Sequence, residues 1–387
     1  MRKSIAREIL LLTIVLVPIT AMNCATAGPE ATPVIGPLDA SKGVPGSDGK
    51  VVWFNALDLG VEGQAWNQVK HPYDRFPAEA ENVVPKGAWR LSEHSAGLCV
   101  RFVSDSPEIW ARWTLRFDEL AMNHMPATGV SGLDLYAKGD GGWGWVAVGR
   151  PKSVKGNEAK LIASAPPGLH EYVLYLPLYN APESVEIGVN PGTTLAKASP
   201  YACDRAKPML FWGTSILQGG CASRPGMAYP AIIGRRMQRP TINLGFSGAG
   251  KMDPEVTELI AQLDVSVYVV DCSPNMKTEM IIERTEPMVH ALRKARPATP
   301  IVLVENVPYE QGWFLESSRK SYQEKNAALR AAYERLRQEG VKHLYYVPCE
   351  GLFGDDHEAT VDGTHATDLG FLRMADVIEP VLRRILE

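Results

Sequence analysis

The apolar residues of this chain change their period near residue 200, and that change restricts the chain to two kinds of folding unit in succession. From Val51 to about Pro200 the period is two. Ile109, Ala111, Trp113, Leu115 and Phe117 alternate with Trp110, Arg112, Thr114 and Arg116, which puts an apolar row on one face of a strand. Val185, Ile187 and Val189 repeat the pattern. Gly132 to Ala137, Trp143 to Gly149 and Tyr172 to Leu178 read as further strands, punctuated by turns such as Gly139-Asp140-Gly141-Gly142. Many short strands with no convincing helical period predict an all-β, jelly-roll-like antiparallel sandwich over 51–200. At strand spacing, Trp143 and Trp145 are expected in its core rather than as sugar-stacking platforms.

After Pro200, short apolar runs alternate with segments of helical period. The runs are Met209 to Trp212, Ile242 to Leu244, Val265 to Val270, Ile301 to Val304 and Leu344 to Val347. One helix opens at Asp253-Pro254 and carries Val256, Leu259, Ile260 and Leu263 on a stripe. Others run from Thr278 to Ala295, Ser318 to Arg337 and Asp368 to Leu386. In the last, Leu369, Leu372, Ala375, Val381 and Ile385 are expected to face inward. Five strands alternating with helices predict a three-layer α/β/α domain with a parallel sheet over 201–387. Sites in such sheets form at the carboxyl ends of the strands.

A length of 387 residues suits two such domains. Ahead of them, Arg2, Lys3 and Arg7 followed by the apolar stretch Leu10 to Ala21 read as an export signal over 1–27, cleaved after Ala25-Thr26-Ala27. The chain is then expected to be secreted or periplasmic, with no stable membrane insertion after cleavage. Acylation of Cys24 is the weaker alternative, because Asn23 is a poor match to the small residue such a site needs. Residues 28–50, rich in Gly, Pro, Ala and Ser, read as a leader segment. A formal net charge of -4 gives no reason to expect a nucleic-acid partner. Beyond Cys24, five cysteines at scattered spacings do not make a disulfide framework, and no C-x-x-C or H-E-x-x-H spacing calls for a metal.

The loops after the strands hold the reactive groups. Gly213-Thr214-Ser215 follows the first, Gly245-Phe246-Ser247-Gly248 the second, and Cys272-Ser273-Pro274-Asn275 the third. Asp362-Gly363-Thr364-His365 precedes the last helix. A serine hydroxyl is a weak nucleophile until a base takes its proton, and the base works best when a third group fixes its tautomer. Ser215, His365 and Asp362 suit those roles, and the backbone N–H groups of Ser215 and Gly248 with the Asn275 amide suit an oxyanion hole. Each signal alone has a bland reading: a cap, a tight turn, or an exposed charged loop where Asp355, Asp356 and His357 lie. Their order along the chain makes the case.

Gly213-Thr214-Ser215, Asn243 to Gly248, Ser273-Pro274-Asn275 and Asp362 to His365 resemble the blocks of the SGNH (GDSL-like) hydrolases. The resemblance implies a flavodoxin-like α/β domain in which Ser215 is nucleophile, Gly248 and Asn275 are oxyanion donors, His365 is the base and Asp362 its orienter, with no cofactor. Thr214 departs from the usual Gly-Asp-Ser, at a position outside the triad. Upstream, Ser131-Gly132-Leu133-Asp134-Leu135-Tyr136 resembles the Gly-x-Asp-Leu-Tyr motif of a sandwich domain that precedes some bacterial SGNH esterases.

Ser247 is a rival nucleophile, since Gly245 to Ala249 comes within one residue of a Gly-x-Ser-x-Gly elbow. The expected activity is a serine esterase acting on short-chain esters, with an acetylated carbohydrate as the leading substrate. Lipid-ester hydrolysis and a non-catalytic carbohydrate-binding role are the alternatives. Gln218, Arg224 and Tyr229, downstream of the nucleophile, and His124, on a loop before the Gly-x-Asp-Leu-Tyr region, are the candidate substrate contacts. For Arg224 and Tyr229 a purely structural anchoring role is an equal alternative. Activity is expected to fall as His365 takes up a proton in acid.

Overall fold

The alternation in Ile109–Leu115 has the consequence its spacing demands. In the computed structural model of the chain, which describes residues 36–387, this strand buries Ile109, Ala111, Trp113 and Leu115 and leaves Trp110, Arg112 and Thr114 half-buried. The expected export signal, Cys24 and the leader as far as residue 35 lie outside the described residues.

The first half contains strands β1 (Val44–Pro45), β2 (Val52–Asn55), β3 (Cys99–Ser104), β4 (Ile109–Leu115), β5 (Leu133–Gly139), β6 (Gly142–Gly149), β7 (Asn157–Ile162), β8 (His170–Tyr175), β9 (Pro182–Val189) and β10 (Leu195–Lys197). They form two five-stranded antiparallel sheets, ordered β1-β2-β9-β4-β7 and β10-β3-β8-β5-β6. Their inner faces share one apolar cluster, with Ile109, Trp113, Val185 and Ile187 from one sheet against Phe102, Leu133, Leu135 and Leu174 from the other. This is the expected sandwich. Trp113 is 1% exposed within it, and truncating so buried a ring costs about 3–5 kcal/mol.

Several details depart from expectation. The sandwich begins inside the leader, at β1, which pairs with β2. Strand β3 is buried on both faces and so shows no alternation. Trp145 is not a core residue: it is 51% exposed, and its indole N–H donates to Asp134 at 3.0 Å. Among the described residues the first half also has three short α-helices, α1 (Ala56–Leu59), α2 (Lys86–Ser92) and α3 (Ala127–Val130). Helix α2 contains Gly87 and has no side-chain cap at Pro85, so it carries no start signal. What holds it is tertiary: Ala88 and Leu91, with Phe76, Ala80 and Val84, pack on the α/β half and not on the sandwich.

The second half carries β11 (Met209–Gly213), β12 (Thr241–Gly245), β13 (Val267–Asp271), β14 (Ile301–Val304) and β15 (Leu344–Val347), all parallel, in the order β12-β11-β13-β14-β15. Its helices are α4 (Ser215–Gln218), α5 (Tyr229–Met237), α6 (Pro254–Ala261), α7 (Thr278–Ala295), α8 (Glu316–Gln338) and α9 (Asp368–Leu386). Met209, Phe211, Val267 and Val302 bury one sheet face against α5 and α9. Leu210, Trp212, Tyr268 and Leu303 bury the other against α6, α7 and α8. The α/β/α layering is therefore as expected, with one change of phase. In α9 the inward stripe is Phe371, Met374, Ala375, Ile378 and Leu382, while Leu369 and Leu372 are exposed. Two adjacent apolar stripes run along this helix, and contact with α5 and the sheet selects the second.

The chain leaves β11 outward to β12, then returns to the other side of β11 at β13. This reversal places the switch point of the sheet at the carboxyl end of β11.

Candidate active site

Ser215 opens α4 immediately beyond that switch point. Thr214 is the N-cap, its hydroxyl accepting from the Ile216 N–H at 3.3 Å, which gives the residue a local job that any capping side chain can do. The helix ends after one turn at Gly219, φ 109°, where the chain enters the left-handed region. Ser215 is thus fixed from both sides and is 8% exposed.

Its Oγ lies 2.8 Å from His365 Nε2. The other ring nitrogen, Nδ1, lies 2.7 Å from Asp362 Oδ2, and Asp362 Oδ1 accepts the backbone N–H groups of His365 at 2.8 Å and Thr364 at 3.0 Å. Burial tends to raise the Asp362 carboxyl, but the amide and imidazole of His365 outweigh it and hold the group below its ordinary value. An ionised carboxylate held so keeps a proton on Nδ1 and leaves the Nε2 lone pair toward Ser215.

The second and third loops close around this point. Phe246 N–H donates to Gly213 O at 3.0 Å, and Gly250 passes so close that a Cβ there would stand 1.9 Å from Gly213 O. Gly248 has φ 69°, turning its peptide in a way a side chain would oppose. Asn275, on a turn after β13, donates through Nδ2 to Phe246 O at 3.3 Å, which leaves the second proton of that amide uncommitted. The expected donors Ser215, Gly248 and Asn275 therefore come from the ends of three adjacent strands. Ser247, the rival nucleophile, sits on the same loop with its N–H donated to Gln218 Oε1 at 3.0 Å; the histidine facing Ser215 is not bonded to it.

The candidate substrate contacts fare differently. Gln218 is fully buried. Its amide holds Ser247 N–H on one side and, on the other, donates to Leu178 O at 3.0 Å and His94 Nδ1 at 3.2 Å, so it braces the second loop and does not face a ligand. Tyr229 is also fully buried, its hydroxyl donating to Asp271 Oδ2 at 3.0 Å. Arg224 reaches away to the sandwich. There its guanidinium meets Asp134 at 3.0 Å and the Tyr136 hydroxyl, while Gly226 N–H donates to Asp134 at 2.8 Å. The Asp and Tyr of the Gly-x-Asp-Leu-Tyr motif are thus the sandwich's grip on the α/β half. His124 alone of the four reaches the site: its ring meets that of His365 edge to face at 5.7 Å between centroids.

Four contributors carry no motif. Glu310 folds the loop that bears Asp362 and His365, its carboxylate accepting Ala359 N at 3.0 Å, Thr360 N at 3.1 Å and Thr360 Oγ1 at 2.8 Å. Beyond Glu310, Trp313 and Phe314 are 65% and 75% exposed, and Trp313 stacks on His357 at 5.8 Å. Arg75, wholly buried, donates to His94 O and Leu91 O and also to Asn243 O and Gly245 O at the end of β12. A cavity of about 480 Å³ opens beside Ser247, lined by Arg90, His94, Phe117, Glu119, Met122 and Tyr179. Asp356, from the acidic loop, pairs with Arg373 at 2.7 Å.

The profile of the GDSL-like Lipase/Acylhydrolase family matches residues 206–383, and one described as the N-terminus of Esterase_SGNH_hydro-type matches residues 51–195. A solved chain from Bacteroides ovatus ATCC 8483, described as a GDSL-like lipase, is 37% identical with a TM-score of 0.81, over 87% of this chain and 98% of that one. This chain belongs to the GDSL-like lipase/acylhydrolase family. A salicylyl-acyltransferase from a tetracycline biosynthetic pathway shares the fold of this GDSL-family protein at 19% identity and a TM-score of 0.68, over 89% of this chain and 97% of that one. So does a family two carbohydrate esterase from Clostridium thermocellum, solved with cellohexaose, at 13% identity and 0.54, over 75% and 93%. None of the curated proteins matches. Among the described residues, no helix of the GDSL-family chain is long and apolar enough to cross a membrane.

Proposed function

We propose that this GDSL-family protein is an exported serine esterase that removes acetyl or similarly short acyl groups from a carbohydrate. The observation that carries the chemistry is the unbroken relay from Ser215 Oγ to His365 at 2.8 Å and from His365 to Asp362 at 2.7 Å. Ser215 attacks the ester carbonyl as His365 takes its proton. The oxyanion rests on the amides of Ser215 and Gly248 and on Asn275, and the alcohol leaves with the proton from His365. Water then repeats the cycle on the acyl-enzyme.

The sugar reading rests on the exposed ledge of Trp313 and Phe314, joined to the catalytic loop by the Glu310 N–H to Gly363 O bond at 3.0 Å. Flat exposed rings beside a catalytic loop suit the apolar face of a pyranose. The family two carbohydrate esterase acts as a precedent for this architecture on sugars. Export rests on the basic, apolar and small-residue succession in residues 1–27.

The test is acetate release from acetylated xylan, xyloglucan, pectin and sialic acid, beside p-nitrophenyl esters of rising chain length. Ser215→Ala should abolish every activity and Ser247→Ala should spare them; the opposite pair of results would move the nucleophile to Ser247. Trp313→Ala should lower turnover of polymer while leaving p-nitrophenyl acetate unchanged. A preference for long acyl chains would replace the carbohydrate reading with a lipase.

A further inference from the structure

We propose that His124, Cys221 and His365 form a binding site for a thiophilic divalent cation of the zinc type, and that filling it withdraws His365 from Ser215 and silences the enzyme. The silencing rests on the reading of His365 as the base; the site itself rests on geometry alone. One donor atom from each of the three side chains lies within 4.8 Å of the other two. Donors around a tetrahedral zinc with nitrogen and sulfur ligands stand roughly 3.3–3.6 Å apart, given bonds of about 2.0–2.3 Å. Side-chain rotations that close about 1 Å therefore suffice.

Each ligand is already oriented. His124 Nδ1 lies 2.8 Å from Asn123 Oδ1, so the amide oxygen fixes the proton there and leaves the Nε2 lone pair free. His365 has Asp362 behind its Nδ1 in the same way, at 2.7 Å. A carboxylate behind an imidazole prepares the far nitrogen to take a proton from serine, and it equally prepares that nitrogen to bind a metal. Cys221 is 6% exposed and sits at φ 75°, a left-handed conformation in which the rigid turn Gly219-Gly220 delivers it beside the histidines. Gly220 lets the turn pass close under the nucleophile: a Cβ there would stand 2.9 Å from the Tyr179 hydroxyl and 3.0 Å from Ser215 O.

Binding replaces the Cys221 thiol proton with a sulfur–metal bond and releases that proton to solvent, while the Ser215 to His365 hydrogen bond breaks. The other comparable grouping among the described residues, Glu305, Cys349 and Glu350, is committed elsewhere: Glu305 accepts from Arg330 at 2.7 Å, from the Tyr346 hydroxyl at 2.5 Å and from Cys349 N–H at 2.8 Å.

The experiment uses the purified full chain, with zinc chloride added to a p-nitrophenyl acetate assay and cobalt chloride to an absorption measurement. Zinc should reduce turnover at least tenfold, with recovery on chelation, and cobalt should give a thiolate-to-metal charge-transfer band. Cys221→Ala should keep its basal turnover, lose the band and need about 100-fold more zinc for the same inhibition, since even outer-shell groups cost up to that factor. His124→Ala, normalised to its own basal rate, should shift in the same direction. Equal zinc sensitivity in the wild type and Cys221→Ala, or no cobalt band in the wild type, would overturn the site. Ser215→Ala separates the two claims: it should be inert yet show the full cobalt band. If it instead turns over normally, the serine-esterase reading fails while its cobalt band still judges the site.

Discussion

Replacing His94 with asparagine should make the stability curves of variant and wild type cross between pH 8 and pH 5. The His94 ring lies at the wall of the 480 Å³ cavity, and its Nδ1 accepts from Gln218. Burial, together with Arg75, Arg90 and Arg116, lowers its pKa from 6.5 to about 3. A depressed histidine contributes stability that is present above the unfolded value of 6.5 and is lost as pH falls toward 3, because only the unfolded chain takes up the proton in that window. At pH 5 the folded ring is still neutral. The loss is then set by the unfolded chain, one and a half pH units below its pKa, and comes to about 2 kcal/mol relative to pH 8.

Asparagine keeps an acceptor for Gln218 but has no proton to gain. It forfeits the ring contacts with Phe117 at 5.3 Å and Tyr179 at 6.1 Å, a cost of about 1 kcal/mol. The wild type should therefore be the more stable by about 1 kcal/mol at pH 8, and the variant by about the same at pH 5. Urea unfolding at the two pH values reads both differences. Parallel behaviour, with the same gap at each pH, would show that His94 titrates normally in the folded protein and would refute the reasoning.

Asp271 should act with the opposite sign. Burial, against the opposing Tyr229 hydroxyl, raises it from 3.8 to about 8, so the folded chain keeps a proton that the unfolded chain loses and stability declines as pH rises through that range. In Asp271→Asn the decline measured by urea unfolding should flatten by up to about 1.4 kcal/mol per pH unit; an unchanged slope would mean that the carboxyl is ionised in place. Arg224→Ala should lower unfolding free energy by about 2–3 kcal/mol, as it strands the wholly buried Asp134 carboxylate while Arg224 itself is 21% exposed. Unchanged stability with a raised KM would return Arg224 to the substrate. Gln218→Ala should reduce kcat about tenfold with KM nearly constant, less than loss of an oxyanion donor itself, because Gln218 only positions the Ser247-Gly248 loop. A selective rise in KM would contradict that role.

What was legible in the chain follows from how local each signal is. Asp362 and His365 lie three residues apart, and Ser215 lies three residues beyond the four-residue apolar run Met209 to Trp212, so short-range pattern suffices to place them at strand ends. Gln218, Arg224 and Tyr229 are candidate substrate contacts in the sequence because they are near Ser215, with structural anchoring an equal reading for Arg224 and Tyr229. Their partners are Leu178, Asp134 and Asp271, separated by 40, 90 and 42 residues, and no local pattern announces such pairings. Glu310 and Arg75 escape for the same reason: each satisfies backbone groups of a loop far along the chain. His124 was legible as a rim residue only because the Gly-x-Asp-Leu-Tyr block anchors the loop ahead of it. In α9 the period was right and the phase was not, since the neighbouring element decides which of two apolar stripes is covered.

The staple formed by Arg75 implies that residues 201–387 do not make a working enzyme alone. The guanidinium spans four carbonyls, two from Leu91 and His94 and two from Asn243 and Gly245, the strand end that carries the Gly248 loop. Losing the first half strips those two β12 carbonyls of a charged donor, at about 1–3 kcal/mol each if they stay buried. It also uncovers the apolar face that Phe76, Val84, Ala88 and Leu91 cover over Ile242 and Leu244, and removes the His94 acceptor from Gln218. Expressed separately, 201–387 should bind apolar dyes, unfold without a sharp transition and turn over p-nitrophenyl acetate far more slowly than the full chain. Sharp cooperative unfolding with undiminished kcat would show that the sandwich is an attachment and not a wall of the site.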